Sequence, residues 1–354
     1  MKKRMKKISA ILLAFAMTAS MLAGCGSSAA DSSSEEQTQS ESQSGAQETE
    51  SEPVDVNVTA LKGPTAMGMV QMMDDADNGK IDSENYQFTI AASIDEVTPS
   101  ISQGETDIAA VPANVSSVLY NKLEGGVQVL AINTLGVLYI VENGDTVQSV
   151  ADLRGKTIYA SGKGATPEYA LNYILQENGI DPASDVTIEW KSEHSECVAA
   201  LAQDPSGIAM LPQPFVTTAQ AQNPDLRVAL DLTEEWDKIQ ENAENPSALL
   251  TGVVNVRTEF AKEHPEAVSD FMERYKSSVE FVNENVDEAA QLVGNYDIVP
   301  AEVAKKAIPA CNIVCITGDE MQEKLSGYLA VLNEQNPEAI GGQLPDDDFY
   351  YTQE

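Results

Sequence analysis

Ser161-Gly162-Lys163-Gly164-Ala165-Thr166 is the segment whose residue types and order point most directly to chemistry. Its glycines let backbone approach a ligand closely, and the helix opened by Thr166-Pro167 presents unpaired N–H groups and a positive dipole end. Such a loop suits an anion. Glu168 in the first turn works against that and has two readings. Its carboxylate either complements the dipole or grips an amine or hydroxyl of a zwitterionic or neutral polar ligand. Lys163, and Lys62 in a second loop, are either solvated or turned toward the ligand.

Other segments share this character. In open α/β sheets, ligands sit beyond the carboxyl ends of strands, next to helix N-termini. By that rule Gly63, Pro64, Thr65 and Met67 follow a first strand, Ser93 a second, and Pro112, Ala113 and Asn114 a third. Later in the chain Ser161, Gly162, Gly164, Thr166, Pro167 and Glu168 are joined by His194, and by Pro212 and Gln213. All are expected ligand-binding positions.

Catalysis would need a nucleophile with a base, a paired acid and base, or a metal. The chain has two histidines, His194 and His264, and lacks a Gly-x-Ser-x-Gly elbow, a phosphate loop and an HExxH motif. Met67, Met69, Met72 and Met73 could suggest copper, but their helical spacing reads as core or cleft lining. His194, Glu196 and Cys197 are too close along the chain to converge on one ion. Cys311 and Cys315, four apart, fit neither a zinc knuckle nor a redox pair, and with Cys197 they read as buried structural thiols. The expectation is a binder rather than an enzyme, with no metal and no cofactor.

The elements that must position these residues begin after an N-terminal leader. Lys2, Lys3, Arg4, Lys6 and Lys7 precede an apolar run from Ile8 to Met21 and then Leu22-Ala23-Gly24-Cys25, the pattern of a secretory signal. The run falls short of the roughly 20 residues a transmembrane helix needs. LAGC resembles the lipobox of bacterial lipoproteins, which implies cleavage after residue 24 and diacylglycerol on Cys25. Residues 25 to 53, rich in Ser, Glu and Gln, cannot bury enough surface to fold and read as a disordered tether with a reach of roughly 30 Å. Without the leader, 16 Lys and Arg face 56 Asp and Glu, a net charge of about -40 that argues against nucleic acid as a partner.

From Val54, short β-branched runs alternate with helical patterns, the signature of an α/β fold with largely parallel strands. Strands are predicted at 54–61, 86–92, 107–111, 127–133, 137–141, 157–160, 186–190, 208–211, 226–232 and 252–256. After 256 the chain turns helical, at 260–285, 287–294, 300–307 and 318–334, with an irregular surface tail. An internal repeat organises the body. Pro64 and Pro167 each open a helix, and Pro112 and Pro212 each close a strand, 48 and 45 residues later respectively.

The stretches LKGPTAMGMVQMM (61–73), QGETDIAAVPANVSSVLYNK (103–122), LRGKTIYASGKGATPEYALNYILQENGI (153–180) and GIAMLPQPFVTTA (207–219) resemble substrate-binding proteins of ABC importers, of the nitrate, sulfonate and taurine class. The resemblance runs from about 54 to 335. It implies a bilobal, type II periplasmic-binding-protein-like fold with two α/β lobes, a hinge and a ligand cleft. Lobe one would be 54–140 plus 250–354, and lobe two 141–249. The hinge would lie near Tyr139 to Gly144 and near Thr233 to Thr251. A pyrimidine synthase related to this family carries a cysteine-rich iron motif that is absent here. The implied role is to capture a small polar or anionic organic molecule and deliver it to an importer permease with its cytoplasmic ATPase. The protein would be a monomer held to the extracytoplasmic face of the cell membrane through Cys25. A sensing or adhesive surface lipoprotein of the same fold is the alternative. A phosphonate or nucleoside binder would call for a strongly basic or aromatic cleft, and the candidate loops show neither.

Overall fold

Proline and glycine punctuate the chain where the helices and strands change over. The computed structural model describes residues 53–241 and 247–352; the leader, Cys25 and the tether up to residue 52 lie outside them. In chain order, the first part comprises β1 (Val54–Leu61), α1 (Pro64–Met67), α2 (Val70–Asp77), β2 (Glu84–Ala91), α3 (Ile94–Ser102), β3 (Ile108–Pro112), α4 (Ala113–Lys122) and β4 (Val127–Leu135). Next come β5 (Leu138–Asn143), β6 (Thr157–Ser161), α5 (Thr166–Glu177), β7 (Thr187–Lys191), α6 (His194–Gln203), β8 (Ile208–Pro212), α7 (Phe215–Gln222), β9 (Leu226–Asp231) and α8 (Leu232–Gln240). The last part holds β10 (Leu250–Arg257), α9 (Thr258–Glu263), α10 (Pro265–Glu284), α11 (Val286–Asn295), α12 (Ala301–Ala307), β11 (Ile313–Ile316) and α13 (Gly318–Gln335).

Two sheets result, ordered β11-β4-β10-β3-β1-β2 and β7-β6-β8-β5-β9. They are mixed rather than largely parallel. Within each sheet, strands joined by crossover helices run parallel, as β1 does with β2 and β3, and β6 with β7 and β8. Strands that arrive from the other sheet run the opposite way: β10 is antiparallel to β3 and β4, and β5 to β8 and β9. Leu138, Tyr139 and Ile140, grouped by the sequence reading with the first lobe, pair within the second sheet. The chain passes between sheets at Gly136-Val137, and returns between α8 and β10.

Helix starts follow the proline signals, with proline in the first turn of α1, α5 and α10. On α5, Ala170, Leu171, Ile174 and Leu175 form the buried face, and Gly179 with φ 73° follows its end. Two continuous helical patterns are broken in the structure. The stretch from Pro64 divides between α1 and α2, where Gly68 admits the Tyr275 hydroxyl to 3.1 Å from where a Cβ would stand. The stretch from Phe260 divides at His264, because Pro265 disfavours helical backbone in the residue before it. The unpredicted β11 has only four residues, too few for a periodic signal.

Three buried clusters make the core. One fills the outer side of the first sheet and includes Met67, Met69, Met72 and Met73, all at most 3 % exposed. A small one lies behind the second sheet around Cys197 and Leu211. The third draws residues from both sheets and joins them through aromatic side chains. Trp236 is wholly buried there, its ring 4.6 Å from Tyr173 of α5 and 5.7 Å from Tyr328 of α13. The tail is anchored by Phe349, which is 0 % exposed, and by a bridge between Val129 and Tyr350. Cys197 and Cys311 are buried, Cys315 is partly so, and all three are free thiols.

Candidate functional site

Register decides which loops meet. In the first sheet Ala60 pairs with Ala110, Gly252 with both Pro112 and Thr134, and Thr134 with Ile313. The loop after β1, the end of β3, the end of β4 and the start of β10 therefore share one edge. Gly63, with φ 132°, turns the chain there, and Thr65 donates its hydroxyl to the Leu61 carbonyl at 2.6 Å. Gly252 keeps the edge open, since a Cβ would stand 2.5 Å from both Asn133 Oδ1 and Thr65 Cγ2.

On the second sheet the matching edge carries Ser161, the glycine loop, Pro212 and Gln213. Gly162 and Gly164 take φ 83° and 79°, conformations that favour glycine, and a Cβ on Gly162 would meet Pro167 at 2.7 Å. The Gly164 N–H is not left free for an anion: it donates to the Glu168 carboxylate at 2.6 Å. Ser161 Oγ bonds Nδ1 of His194, whose ring packs 4.9 Å from Phe215. Burial holds the His194 imidazole down to about 4, so the ring is neutral at pH 7. Gln213 donates its backbone N–H to Val137 at the crossing, 3.0 Å away, and its side-chain oxygen accepts from Thr217 at 2.9 Å.

The two edges touch. Asn114, 1 % exposed at the start of α4, donates to the Ala339 carbonyl at 3.0 Å and lies 3.5 Å from the Gly164 carbonyl. Its Oδ1 lies 3.5 Å from the hydroxyl of Thr166, which accepts from Tyr328 at 3.1 Å. Asn114, Gly164 and Thr166, assigned to separate loops from sequence, are thus brought together across the two sheets. Thr65 stands beside Gly252 and Asn133 on the same edge. Other expected positions lie differently. Ser93 is exposed and its hydroxyl reaches only Glu96 of its own turn, at 3.5 Å. Met67 is wholly buried in core, Ala113 is buried at the head of α4, and Pro64 and Pro167 fix helix starts.

Sequence reasoning did not offer Asn133, Thr134 or Tyr328 at all, and named Thr233 and Thr251 only as bounds of a hinge. Asn133 and Thr134 are at most 1 % exposed. Both amide atoms of Asn133, and the hydroxyls of Thr134, Thr233 and Thr251, have no hydrogen-bond partner within the protein. For Asn133, Thr134 and Thr251, the polar residues just after Ile132 and just before Gly252 were the available signal. A cavity of about 470 Å³ lined by Asn143, Pro205 and Leu226 lies at the opposite end of the second sheet, where β8 and β9 begin. No helix among the described residues is long and apolar enough to cross a membrane.

Solved structures share this arrangement. An ABC transporter protein from Parabacteroides distasonis is similar at a TM-score of 0.69 and 21 % identity, covering 84 % of this chain and 99 % of that one. The periplasmic aliphatic sulphonate binding protein of Escherichia coli is similar at 0.65 and 13 %, covering 85 % and 92 %. The periplasmic nitrate-binding protein of Synechocystis PCC 6803 gives 0.55 and 13 %, covering 71 % and 69 %. These likenesses carry the fold: two α/β lobes of the type II binding-protein kind. No curated protein sequence matches. Residues 81–306 match the family model described as ABC transporter, phosphonate, periplasmic substrate-binding protein. With most of its length inside that match, the chain belongs to the phosphonate-type periplasmic substrate-binding proteins of ABC transporters, a family of transport components rather than a class of enzymes.

Proposed function

We propose that the protein captures a small polar molecule between its lobes, without turning it over, and delivers it to an importer permease coupled to a cytoplasmic ATPase. One lobe comprises residues 54–135 with 250–352, the other 138–231 with α8, and the crossings at Gly136-Val137 and at residues 247–249 ahead of β10 act as the hinge. The ligand is held by Thr65, Asn114 and their neighbours from one side, and by Ser161, Gly164, Thr166 and Gln213 from the other. The observation that carries this reading is the approach of Asn114 and Thr166, one from each lobe, at the heads of two cleft helices. Closure of two lobes on a ligand gives the permease a shape that reports occupancy.

The chain is proposed to work on the extracytoplasmic face, as a monomer anchored by acyl chains on Cys25. Incorporation of labelled fatty acid, abolished by Cys25→Ala, tests the anchor. The binding reading is tested by the melting temperature of the purified protein against sulfonates, phosphonates, nitrate, amino acids and uncharged amides. A ligand at about 100 times its dissociation constant adds roughly 2.7 kcal/mol of stability, a shift of several degrees. The expected result is a saturable shift with one class, abolished by Thr166→Arg. A shift that survives Thr166→Arg would place binding outside the cleft and sink the proposal.

A further inference from the structure

The cleft edge of the first sheet holds buried polar atoms that the protein itself leaves unpaired. Asn133 is 1 % exposed, yet neither Oδ1 nor Nδ2 has a partner within the protein, and Oγ1 of Thr134, Thr233 and Thr251 shares that condition. Buried polar groups are nearly always paired, and each exception asks for an explanation. Among the other orphaned atoms, the Tyr275 hydroxyl lies against Gly68 beside Ile313, while two belong to residues whose remaining polar atoms are paired. Asn255 keeps a bond from Ser116 through its oxygen, and Arg257 keeps Asp107. The four named residues instead sit together where the chain passes between lobes. Thr134 pairs with Gly252, Thr251 adjoins it, Asn133 flanks it, and Thr233 packs on Gly136. The glycines at 136 and 252 let backbone pack directly on Thr233 Oγ1 and Asn133 Oδ1 without supplying a hydrogen bond to either.

The charge at this place is as telling as the polarity. An amide and three hydroxyls carry no formal charge. All four arginines among the described residues are held by carboxylates elsewhere, Arg154 by Asp185, Arg227 by Glu142, Arg257 by Asp107 and Arg274 by Asp270. Lys62 and Lys163, in the nearest loops, are exposed. The glycine-loop N–H that would best receive an anion already serves Glu168. A phosphonate or sulfonate buried here would lose its hydration without a cation to replace it, and the Asn133 oxygen would oppose it.

Resting on the cleft reading above, we propose that the site selects an uncharged ligand bearing an adjacent donor and acceptor, an amide or imide edge, paired with the side-chain amide of Asn133. An amide presents one donor side and one acceptor side, and both are free here, so the argument does not depend on which way the group is turned. Thr134, Thr233 and Thr251 supply hydroxyls that either donate or accept around the rest of the molecule.

Calorimetric titration of the purified protein tests this, with nicotinamide, 2-pyrrolidinone and uracil as one set of probes and methylphosphonate, methanesulfonate and nitrate as the other. At least one amide probe is expected to bind below about 1 mM, and both Asn133→Leu and Thr134→Val are expected to weaken it by about tenfold or more. The melting temperature of ligand-free Asn133→Leu is expected to hold or rise, because an unpaired amide has been removed; a merely structural asparagine would give a fall. Binding of an anion that Asn133→Leu leaves intact, or absence of binding by every amide probe, overturns the inference. An anion that binds and is lost on Thr166→Arg removes this inference alone and leaves the cleft reading standing. Silence from both sets of probes counts against both.

Discussion

Tyr328 donates its hydroxyl to Oγ1 of Thr166 across 3.1 Å, tying the C-terminal helix α13 to the first turn of α5 in the other lobe. Helix α13 packs on α4 and β4 of the first lobe as well as on α5. The contact is wholly buried, and the same hydroxyl of Thr166 faces Asn114. One threonine thus connects the lobe interface to the proposed ligand position.

Removing that bond is expected to loosen the interface without unfolding the protein. Tyr328→Phe and Thr166→Val should each cost about 1 kcal/mol in urea unfolding. A double-mutant cycle should return a coupling of about 0.5 kcal/mol or more between them. Strict additivity would mean that the bond contributes nothing.

Gly136 at the first crossing has no room for a side chain, since a Cβ would stand 2.1 Å from Thr233 Oγ1. Gly136→Ala is expected to destabilise by about 1–3 kcal/mol, the range for overpacking. Adding Thr233→Ala should restore part of the loss, because the nearest clashing atom goes with the hydroxyl. Thermal unfolding of the single and double variants checks this.

Glu142 of β5 is 1 % exposed at its side chain and is bonded by Arg227, Thr146 and the Val147 N–H. Burial acts to raise its carboxyl, but the bonds from Val147, Thr146 and Arg227 outweigh it and hold the group below the ordinary value of 4.5. Its stabilising contribution is complete above 4.5 and is lost as pH falls through the lower folded value. Glu142→Gln should cost about 3 kcal/mol at pH 7, as breaking a buried pair does. Denaturation midpoints of the variant and parent should converge as the solution is acidified below 4.5.

His194 follows the opposite chemistry with the same pH direction. Burial holds it to about 4, against an ordinary 6.5, so the unfolded chain binds its proton first as the solution is acidified. Stability should fall as pH drops from about 6.5 toward 4, and this part of the slope should vanish in His194→Gln. With two histidines in the chain, ring-proton NMR reads the midpoint directly. A midpoint near 6.5 would show that Ser161 and Phe215 do not enclose the ring as described.

Phe349 tests the tail, which its Gly and Asp composition makes look like a surface cover. It is 0 % exposed, 5.2 Å from the rings of both Tyr120 and Tyr350. Phe349→Ala should cost about 3–4 kcal/mol in chemical denaturation. A loss under about 0.5 kcal/mol, the size usual for surface substitutions, would make the tail dispensable.

Much of the layout was legible because its signals are local. Proline fixes φ and removes a donor, so Pro64 and Pro167 mark helix starts wherever the chain later goes, whereas the start at Pro265 lies inside a continuous apolar periodicity. Sequence pattern placed ten of the strands, and the repeat of proline spacings indicated two similar halves. The loops at 63–67, 112–114 and 161–168 could be named from their place between a predicted strand end and a helix start.

Contacts between distant parts of the chain were not legible. No local rule says that Gly252 pairs with Pro112 on one side and Thr134 on the other, because β10 takes its place only after the second lobe is complete. That register is what brings Asn133 and Thr65 together at Gly252, with Thr134 as the strand partner of that glycine. Residue type alone does not tell that the Glu168 carboxylate accepts from the Gly164 N–H, a bond set by the turn of the loop. Residue type and spacing determined the helices, the strands and the candidate loops, since these depend on dihedral preference and on one buried face. Strand order, crossing points and the meeting of Asn114 with Thr166 were decided by tertiary structure, because they depend on which surfaces can be buried together at long range.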